Sequence, residues 1–330
     1  MKERLYVQRA GPWWPKMMDS ENEALLGSWP DVVSDGKRET PMDSGELVER
    51  MQGVTAVLSL NGYGSAEITE EVLRRVGTVR VISRAHYWGE SHYEGLPVEM
   101  GIQVVDGSNA GTVAVAEWCL AAALAGVGRM QIFDRALKMG SPWGEPRMAA
   151  GMLSGRTAGV IGLGRTGLYV ARLFKRMGLH VIARSRSCTI EKAAREGIRL
   201  VHLDELLRTA DIVSLHEAVN ETTRGALGAR EFATIPTGAV FINSARAALY
   251  DEQALIRELA KERFAAFIDV FAEEPIAQRH PFRGMRNVVI TPHIAGNNLD
   301  MLRHAARDAI VGLKEYFAGN GIVDRRYSFP

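Results

Sequence analysis

The 330-residue chain lacks most features that would take it out of the ordinary globular class. It has two cysteines, Cys119 and Cys188, too few for a disulfide framework or a four-ligand zinc site. Both read as small core or surface residues, no metal is expected, and a reducing cytoplasm is the expected location. Neither sign of charge is in excess: the formal net charge is +1, which gives no electrostatic case for nucleic acid or an anionic membrane as a partner. Long apolar runs are missing. The longest, Trp118 to Val127, falls short of the roughly 20 residues a bilayer requires, and Met1-Lys-Glu-Arg-Leu-Tyr6 has no apolar signal-peptide core. No internal repeat or low-complexity tract is present. The remainder, 46% hydrophobic and 24% charged, has the composition and length of about two soluble domains.

Against that background the stretch from Thr157 to Gly178 stands out, because Gly162-Leu-Gly164-Arg-Thr-Gly167 lies between an apolar run and an amphipathic one. The pattern predicts strand, tight turn and helix. Gly162 permits the turn, Gly164 lets backbone approach a pyrophosphate, and Gly167 lets the helix pack against its strand. The N–H groups of the first helical turn, around Arg165 and Thr166, then face an anion. Gly178 sits where a C-cap belongs and Leu179 to Ala183 supplies the next strand, so the unit reads as the first βαβ of a Rossmann domain.

Upstream, the sequence predicts a strand over Arg4 to Ala10, a helix from Pro15 to Leu26 and a helix from Glu46 to Met51. Strand Thr55 to Leu60, helix Ala66 to Val76 and strands Val79 to Ser83 and Gly101 to Val105 follow. This alternation implies a smaller parallel α/β domain of flavodoxin-like type. Trp13 and Trp14 suit either core filling or an aromatic pocket rim. Asn61-Gly62-Tyr63-Gly64 is either a plain turn or, at a strand's carboxyl end, a set of N–H groups for a carboxylate. Asp106 to Gly111 is polar and glycine-rich enough for a hinge. Thr112 to Met130 reads as a helix apolar on nearly every side except at Glu117, which requires cover from two directions and suggests a domain junction or dimer interface.

Beyond Gly178 the sequence predicts strands Arg199–Val201, Asp211–His216, Ala239–Asn243, Ala265–Val270 and Asn287–Thr291, with helices Leu203–Arg208, Ala229–Thr234 and Asp251–Lys261 between. The fold class is therefore α/β, a doubly wound Rossmann sheet of six or seven strands plus the smaller domain. Asp300 to Phe317 is amphipathic and could return to the first domain. The expected boundaries are 1–108 with 300–330, and 109–299.

The second Rossmann strand ends Arg184-Ser185-Arg186-Ser187, with no acid to accept a ribose 2′-hydroxyl. Two guanidiniums and two hydroxyls make a phosphate cradle, so NADP(H) is the expected cofactor with NAD(H) possible; the alternative is a solvated basic turn.

Three further stretches lie at strand carboxyl ends: Phe241-Ile-Asn-Ser-Ala-Arg246, Asp269-Val-Phe-Ala-Glu-Glu274-Pro275 and Thr291-Pro-His293-Ile-Ala-Gly296. With the glycine turn, Val115-Ala-Glu117 and Leu215-His-Glu-Ala-Val-Asn-Glu-Thr-Thr-Arg224, they resemble in order the motifs of the D-isomer-specific 2-hydroxyacid dehydrogenase family, particularly its NADP-preferring glyoxylate and hydroxypyruvate reductases. The likeness runs from about Asn109 to Gly296. Ala218 replaces a usual proline, and Arg84-Ala-His-Tyr-Trp-Gly89 replaces a glycine-and-aspartate loop.

The resemblance implies hydride transfer between NAD(P)(H) and a 2-keto or 2-hydroxy acid. It casts His293 as acid/base, Glu274 as the carboxylate that orients and charges it, and Arg246 as the fork that holds the substrate carboxylate and polarises its keto oxygen. These roles are chemically coherent, since hydride delivery builds charge on oxygen and imidazole can supply the proton. The dinucleotide is expected at Gly162, Leu163, Gly164, Arg165, Thr166, Gly167, Arg184, Ser185, Arg186, His216, Thr222, Ser244, Ala245, Asp269, His293 and Gly296. The substrate is expected at Asn61, Gly62, Tyr63, Arg84 and Arg246. A homodimer is expected. Rival readings on the same scaffold are a phosphite dehydrogenase, a formate oxidiser, which would carry glutamine at position 274, and a dinucleotide-sensing protein resembling a corepressor.

Overall fold

The computed structural model describes residues 3–85, 99–107, 109–141, 143 and 150–320. The chain divides into two compact units, Met1–Gly111 with Asn297–Pro330, and Thr112–Gly296.

The first unit is a parallel sheet of β1 (Leu5–Val7), β2 (Val32–Ser34), β3 (Ala56–Ser59), β4 (Val81–Arg84) and β5 (Gln103–Asp106), in the order β2-β1-β3-β4-β5. That is the flavodoxin-like winding. Its central strand β3 is buried throughout, as a parallel strand covered on both faces must be. The helix Leu299–Phe317 covers one face, turning Met301, Leu302, Ala305, Ala306, Ala309, Ile310 and Leu313 inward at spacings of one to four residues, and the Ser83 hydroxyl donates to the Ala309 carbonyl at 2.8 Å.

Two local expectations are corrected here. The single helix from Pro15 to Leu26 is broken at Met18 and Asp19. Asp19 is extended and its carboxylate accepts from Asn22 N at 2.9 Å, so its capping preference ends one turn and starts the helix Ser20–Gly27. The helix expected from Ala66 begins instead at Glu70, where the Thr69 hydroxyl caps Val72 N at 3.3 Å. Strand β2, three residues long, was too short to show any period. Of the tryptophan pair, Trp14 is buried, and a Cβ on Gly36 would lie 1.9 Å from its ring. Trp14 is thus core, while Lys16 Nζ lies 4.3 Å over the half-buried Trp13 ring.

The second unit is a seven-stranded parallel sheet: β6 (Thr157–Ile161), β7 (His180–Arg184), β8 (Arg199–Leu200), β9 (Ile212–Leu215), β10 (Val240–Asn243), β11 (Ala265–Ile268) and β12 (Val288–Ile290). The order β12-β11-β10-β9-β6-β7-β8 is the Rossmann winding with a seventh strand, and its direction of winding switches between β6 and β9. Ligands of open α/β sheets bind outside the carboxyl ends at such a point. Phe232, Phe241 and Tyr250 anchor one core cluster edge to face, with centroids 5.4–6.0 Å apart.

The apolar helix extends further back than expected, Asn109–Val127, and its first turn takes in part of the segment read as a hinge. At 19 residues it is long and apolar enough, by length and composition alone, to cross a membrane, contrary to the sequence expectation, which counted only from Trp118. About 50% of it is buried within the protein, through Ala116, Cys119, Ala122 and Ala123, as in a core helix. A second helix, Met130–Lys138, which the sequence reading had no period to find, follows it with no buried residue of its own.

Candidate active site

The glycine turn at the end of β6 forms as its residues require. Gly162 has φ 96°, and a Cβ there would lie 2.7 Å from the His216 carbonyl and from Glu217 N. A Cβ on Gly167 would lie 1.8 Å from the Gly162 carbonyl oxygen. Gly164 is different: nothing lies within 4 Å of where its Cβ would stand. It is the N-cap residue of the helix Arg165–Arg176, which has no side-chain cap, and the neighbouring Leu163 is buried. An uncapped 12-residue helix behind an open glycine fits a pyrophosphate.

The basic end of β7 contains a residue the sequence reading missed. Arg184 Nη1 lies 2.5 Å and Arg186 Nε 3.2 Å from the Glu217 carboxylate, and Arg186 also reaches the Thr222 hydroxyl. Ser185 Oγ accepts from Cys188 N at 3.2 Å. The register brings Glu217 here: Arg184 pairs with Ile161 from one side and Leu215 pairs with it from the other. Glu217, two residues beyond Leu215, therefore reaches across the end of β6.

Past β9, His216 Nε2 is 2.7 Å from the Ser214 hydroxyl, and burial of the ring pushes its pKa down to about 3. Of the two threonines in this loop, Thr222 is exposed. Thr223, which occupies the threonine position of the family pattern, is buried and closes the loop, donating to the Ala218 carbonyl at 2.8 Å and accepting from Asn220 N at 2.7 Å.

Arg246, Glu274 and His293 come from loops after three adjacent strands. Behind β10, the Asn243 side chain accepts from Ala245 N at 2.9 Å and donates to the Arg246 carbonyl at 3.2 Å, fixing the turn that leaves Arg246 exposed. Ser244 lies 3.3 Å from the Cys119 thiol, whose burial pushes its pKa up to about 12. That thiol is an inert packing group.

Asp269 is fully buried. Its carboxylate accepts from the Thr291 hydroxyl at 2.5 Å, Ile294 N at 2.9 Å and Ala295 N at 2.8 Å. These bonds clamp the loop Thr291–Gly296, in which His293 adopts a left-handed φ of 54°, a strained conformation for a residue with a side chain. The clamp turns the imidazole toward Glu274, and Nδ1 stands 2.7 Å from Oε2. The other Glu274 oxygen accepts from Phe271 N at 2.9 Å, and the Glu274–Pro275 bond is cis. Partial burial opposes ionisation of Glu274, but hydrogen bonds from His293 and Phe271 N and the positive charges of His293 and Arg246 outweigh it, leaving the carboxyl below its usual pKa. An ionised partner on Nδ1 leaves Nε2 to present a proton.

In the first unit Asn61 is buried and Oδ1 accepts from Tyr63 N at 3.1 Å, with Gly62 at φ 73°. Tyr63 is exposed beneath the Arg9 guanidinium, 4.6 Å from its ring centroid, and Arg84 lies 3.8 Å from Asp106. His86, Tyr87, Trp88 and Gly89 of the divergent loop lie outside the described residues. Among the described residues no cluster of three or more His, Cys, Asp or Glu is arranged for a metal.

The chain is similar to known proteins in sequence and fold. The model of the D-isomer specific 2-hydroxyacid dehydrogenase NAD binding domain matches residues 120–295, and the chain belongs to that family. It is 31% identical over 259 residues to a D-3-phosphoglycerate dehydrogenase of Archaeoglobus fulgidus, covering 78% of this chain and 48% of that protein. It is 35% identical over 203 residues to a glyoxylate reductase of Aeropyrum pernix, covering 59% of this chain and 61% of that one. The chain thus spans about half the length of the phosphoglycerate dehydrogenases it matches. A phosphoglycerate oxidoreductase of Rhizobium etli shares the fold with a TM-score of 0.81 at 22% identity, over 96% of this chain and 95% of that one.

Proposed function

We propose that the protein is an oxidoreductase that interconverts a 2-keto acid and its D-2-hydroxy acid with NADP(H), NAD(H) being the weaker cofactor. The observation that carries this reading is the His293–Glu274 pair at 2.7 Å, held on the loop that Asp269 clamps. In the reduction a bound nicotinamide supplies the hydride. His293 presents the proton for the keto oxygen through Nε2, and Glu274, already ionised, stabilises the imidazolium before the transfer. Arg246 has the planar fork to hold the substrate carboxylate. Asp269 is a positioning residue. The second unit serves as the dinucleotide-binding domain and the first as the substrate domain, with Asn61, Gly62, Tyr63 and Arg84 candidates to contact the substrate. Support for NADP(H) comes from Arg184 and Arg186, which end β7 where an acid would otherwise stand.

The carboxylate at position 274 weighs against formate oxidation, which generates no hydroxyl proton. A homodimer is the proposed assembly, seated on the helix Met130–Lys138, whose Met130 and Leu137 face outward beside exposed Met139 and Trp143. Light scattering at micromolar concentration tests the dimer. For the activity, NADPH consumption is measured with glyoxylate, hydroxypyruvate and longer 2-keto acids, and NADP reduction with phosphite. Turnover with one of the keto acids is expected. No keto-acid-dependent turnover would leave the dinucleotide-sensing reading, and turnover with phosphite alone would replace both.

A further inference from the structure

We propose that Glu217 sets the dinucleotide selectivity of this chain: its carboxylate, held between Arg184 and Arg186 beside the glycine turn, accepts an adenosine 2′-hydroxyl and opposes a 2′-phosphate. The inference rests on the reading of this edge as the adenosine end of an NADP(H) site. Three observations carry it. The carboxylate is only 12% exposed, 2.5 Å from Arg184 Nη1 and 3.2 Å from Arg186 Nε, so the cluster presents one net positive charge rather than two. Glu217 N, like the His216 carbonyl before it, lies 2.7 Å from where a Cβ on Gly162 would stand, which puts the residue at the glycine turn. Arg184 and Glu217 also line one small recess of about 30 Å³ with Thr223 and the apolar Ile161, Leu203, Leu215 and Leu227, which places the pair together at the carboxyl end of β6.

A phosphate arriving at the arginines must share them with a carboxylate already there, and the like charges repel in a half-enclosed site. A 2′-hydroxyl meets no such opposition and donates to the carboxylate, the role an acid at the end of β7 would otherwise fill. Glu217 therefore holds the NADP(H) preference down and keeps NAD(H) within reach.

The test is equilibrium binding of NADPH and NADH to the full chain, followed by nicotinamide fluorescence, with calorimetry of adenosine 2′,5′-bisphosphate against AMP to isolate the adenosine end. Glu217→Gln is expected to tighten NADPH and the bisphosphate by about tenfold and to weaken NADH by a few fold. Equal changes for both dinucleotides, or none, would overturn the assignment. Should the Gln variant fail to fold, Glu217→Asp, which draws the charge back from Arg186, is expected to move the ratio the same way by a smaller factor, and an unmoved ratio there is equally decisive. The wild-type ratio is a separate result: tighter NADH than NADPH binding would remove the NADP(H) reading while leaving the shift on substitution to judge Glu217.

Discussion

At the carboxyl edge of the five-stranded sheet, Arg9 pairs with Glu67 while lying over Tyr63, and Arg84 faces Asp106. At the carboxyl edge of the seven-stranded sheet, Asn243 and Asp269 are committed to backbone N–H groups of the loops that carry Arg246 and His293, and Glu274 accepts from Phe271 N of its own loop. The first edge sets its polar side chains largely against one another, which fixes a surface shape and charge. The second uses the buried Asn243 and Asp269 side chains as clamps on the main chain, which fixes where a reactive group points. Side chains held in this second way are the ones whose loss should stop a reaction rather than retune it.

The largest effect is expected at the clamped imidazole. His293→Ala should lower kcat by about two to four orders of magnitude, the usual weight of general acid–base catalysis, while the NADPH Kd changes by less than about threefold. Single-turnover kinetics with a titration of the cofactor separates the two, and near-normal turnover would make this edge a scaffold like the other. Next comes Arg246→Ala, expected to reduce kcat/KM for a 2-keto acid by about a hundredfold, with Arg246→Lys recovering only part because an ammonium lacks the fork. An unchanged kcat/KM would detach Arg246 from the substrate carboxylate.

Asp269 tests the clamp itself. Asp269→Asn keeps the size but turns one accepting oxygen into a donor facing N–H groups, and should cost about 2 kcal/mol in urea unfolding together with about tenfold in kcat. A variant that loses stability but keeps full kcat would show that the clamp serves folding alone.

His216 gives the same unit a pH dependence. Its pKa in the folded chain is about 3, below the 6.5 of an unfolded histidine, so the unfolded chain takes the proton first. The stability it confers is therefore fully present above pH 6.5 and is lost as pH falls toward 3. By pH 5 the loss should be about 1 kcal/mol, allowing for the partial exposure of the residue. His216→Asn, which can still bond Ser214, should flatten this part of the stability profile, and an unchanged slope would assign it to carboxylates.

How much of this was legible in the sequence follows from how local each constraint is. Gly162 and Gly167 were legible because only glycine fits where a Cβ would strike backbone, and the spacing of the glycines between an apolar and an amphipathic stretch marks such a turn. Asp19 as a helix breaker was legible in principle, since an aspartate before Ser20-Glu21 is a capping signal, but the apolar period across Met17 and Leu26 hid it. Glu217 was not legible. Its pairing with Arg184 depends on two strands meeting β6 from opposite sides, and 33 residues separate the partners in the chain. Nor could Asn243 be told from an ordinary turn residue until its amide was seen to bond both ahead and behind.

The smallest effect is expected on the other edge, and it is the one that most sharpens the contrast. Tyr63 is 43% exposed, and a cation–π contact at an exposed site is worth about 0.5–1 kcal/mol, a factor of roughly two to five. Tyr63→Ala should therefore raise KM for the preferred keto acid by that factor and leave kcat alone, whereas Tyr63→Phe, which keeps the ring under Arg9, should change neither. The pair of variants distinguishes the ring from its hydroxyl. A fall in kcat of a hundredfold in either would mean that the first sheet's edge, too, places a side chain on the reacting atoms, and the division between a selecting edge and a reacting edge would fail.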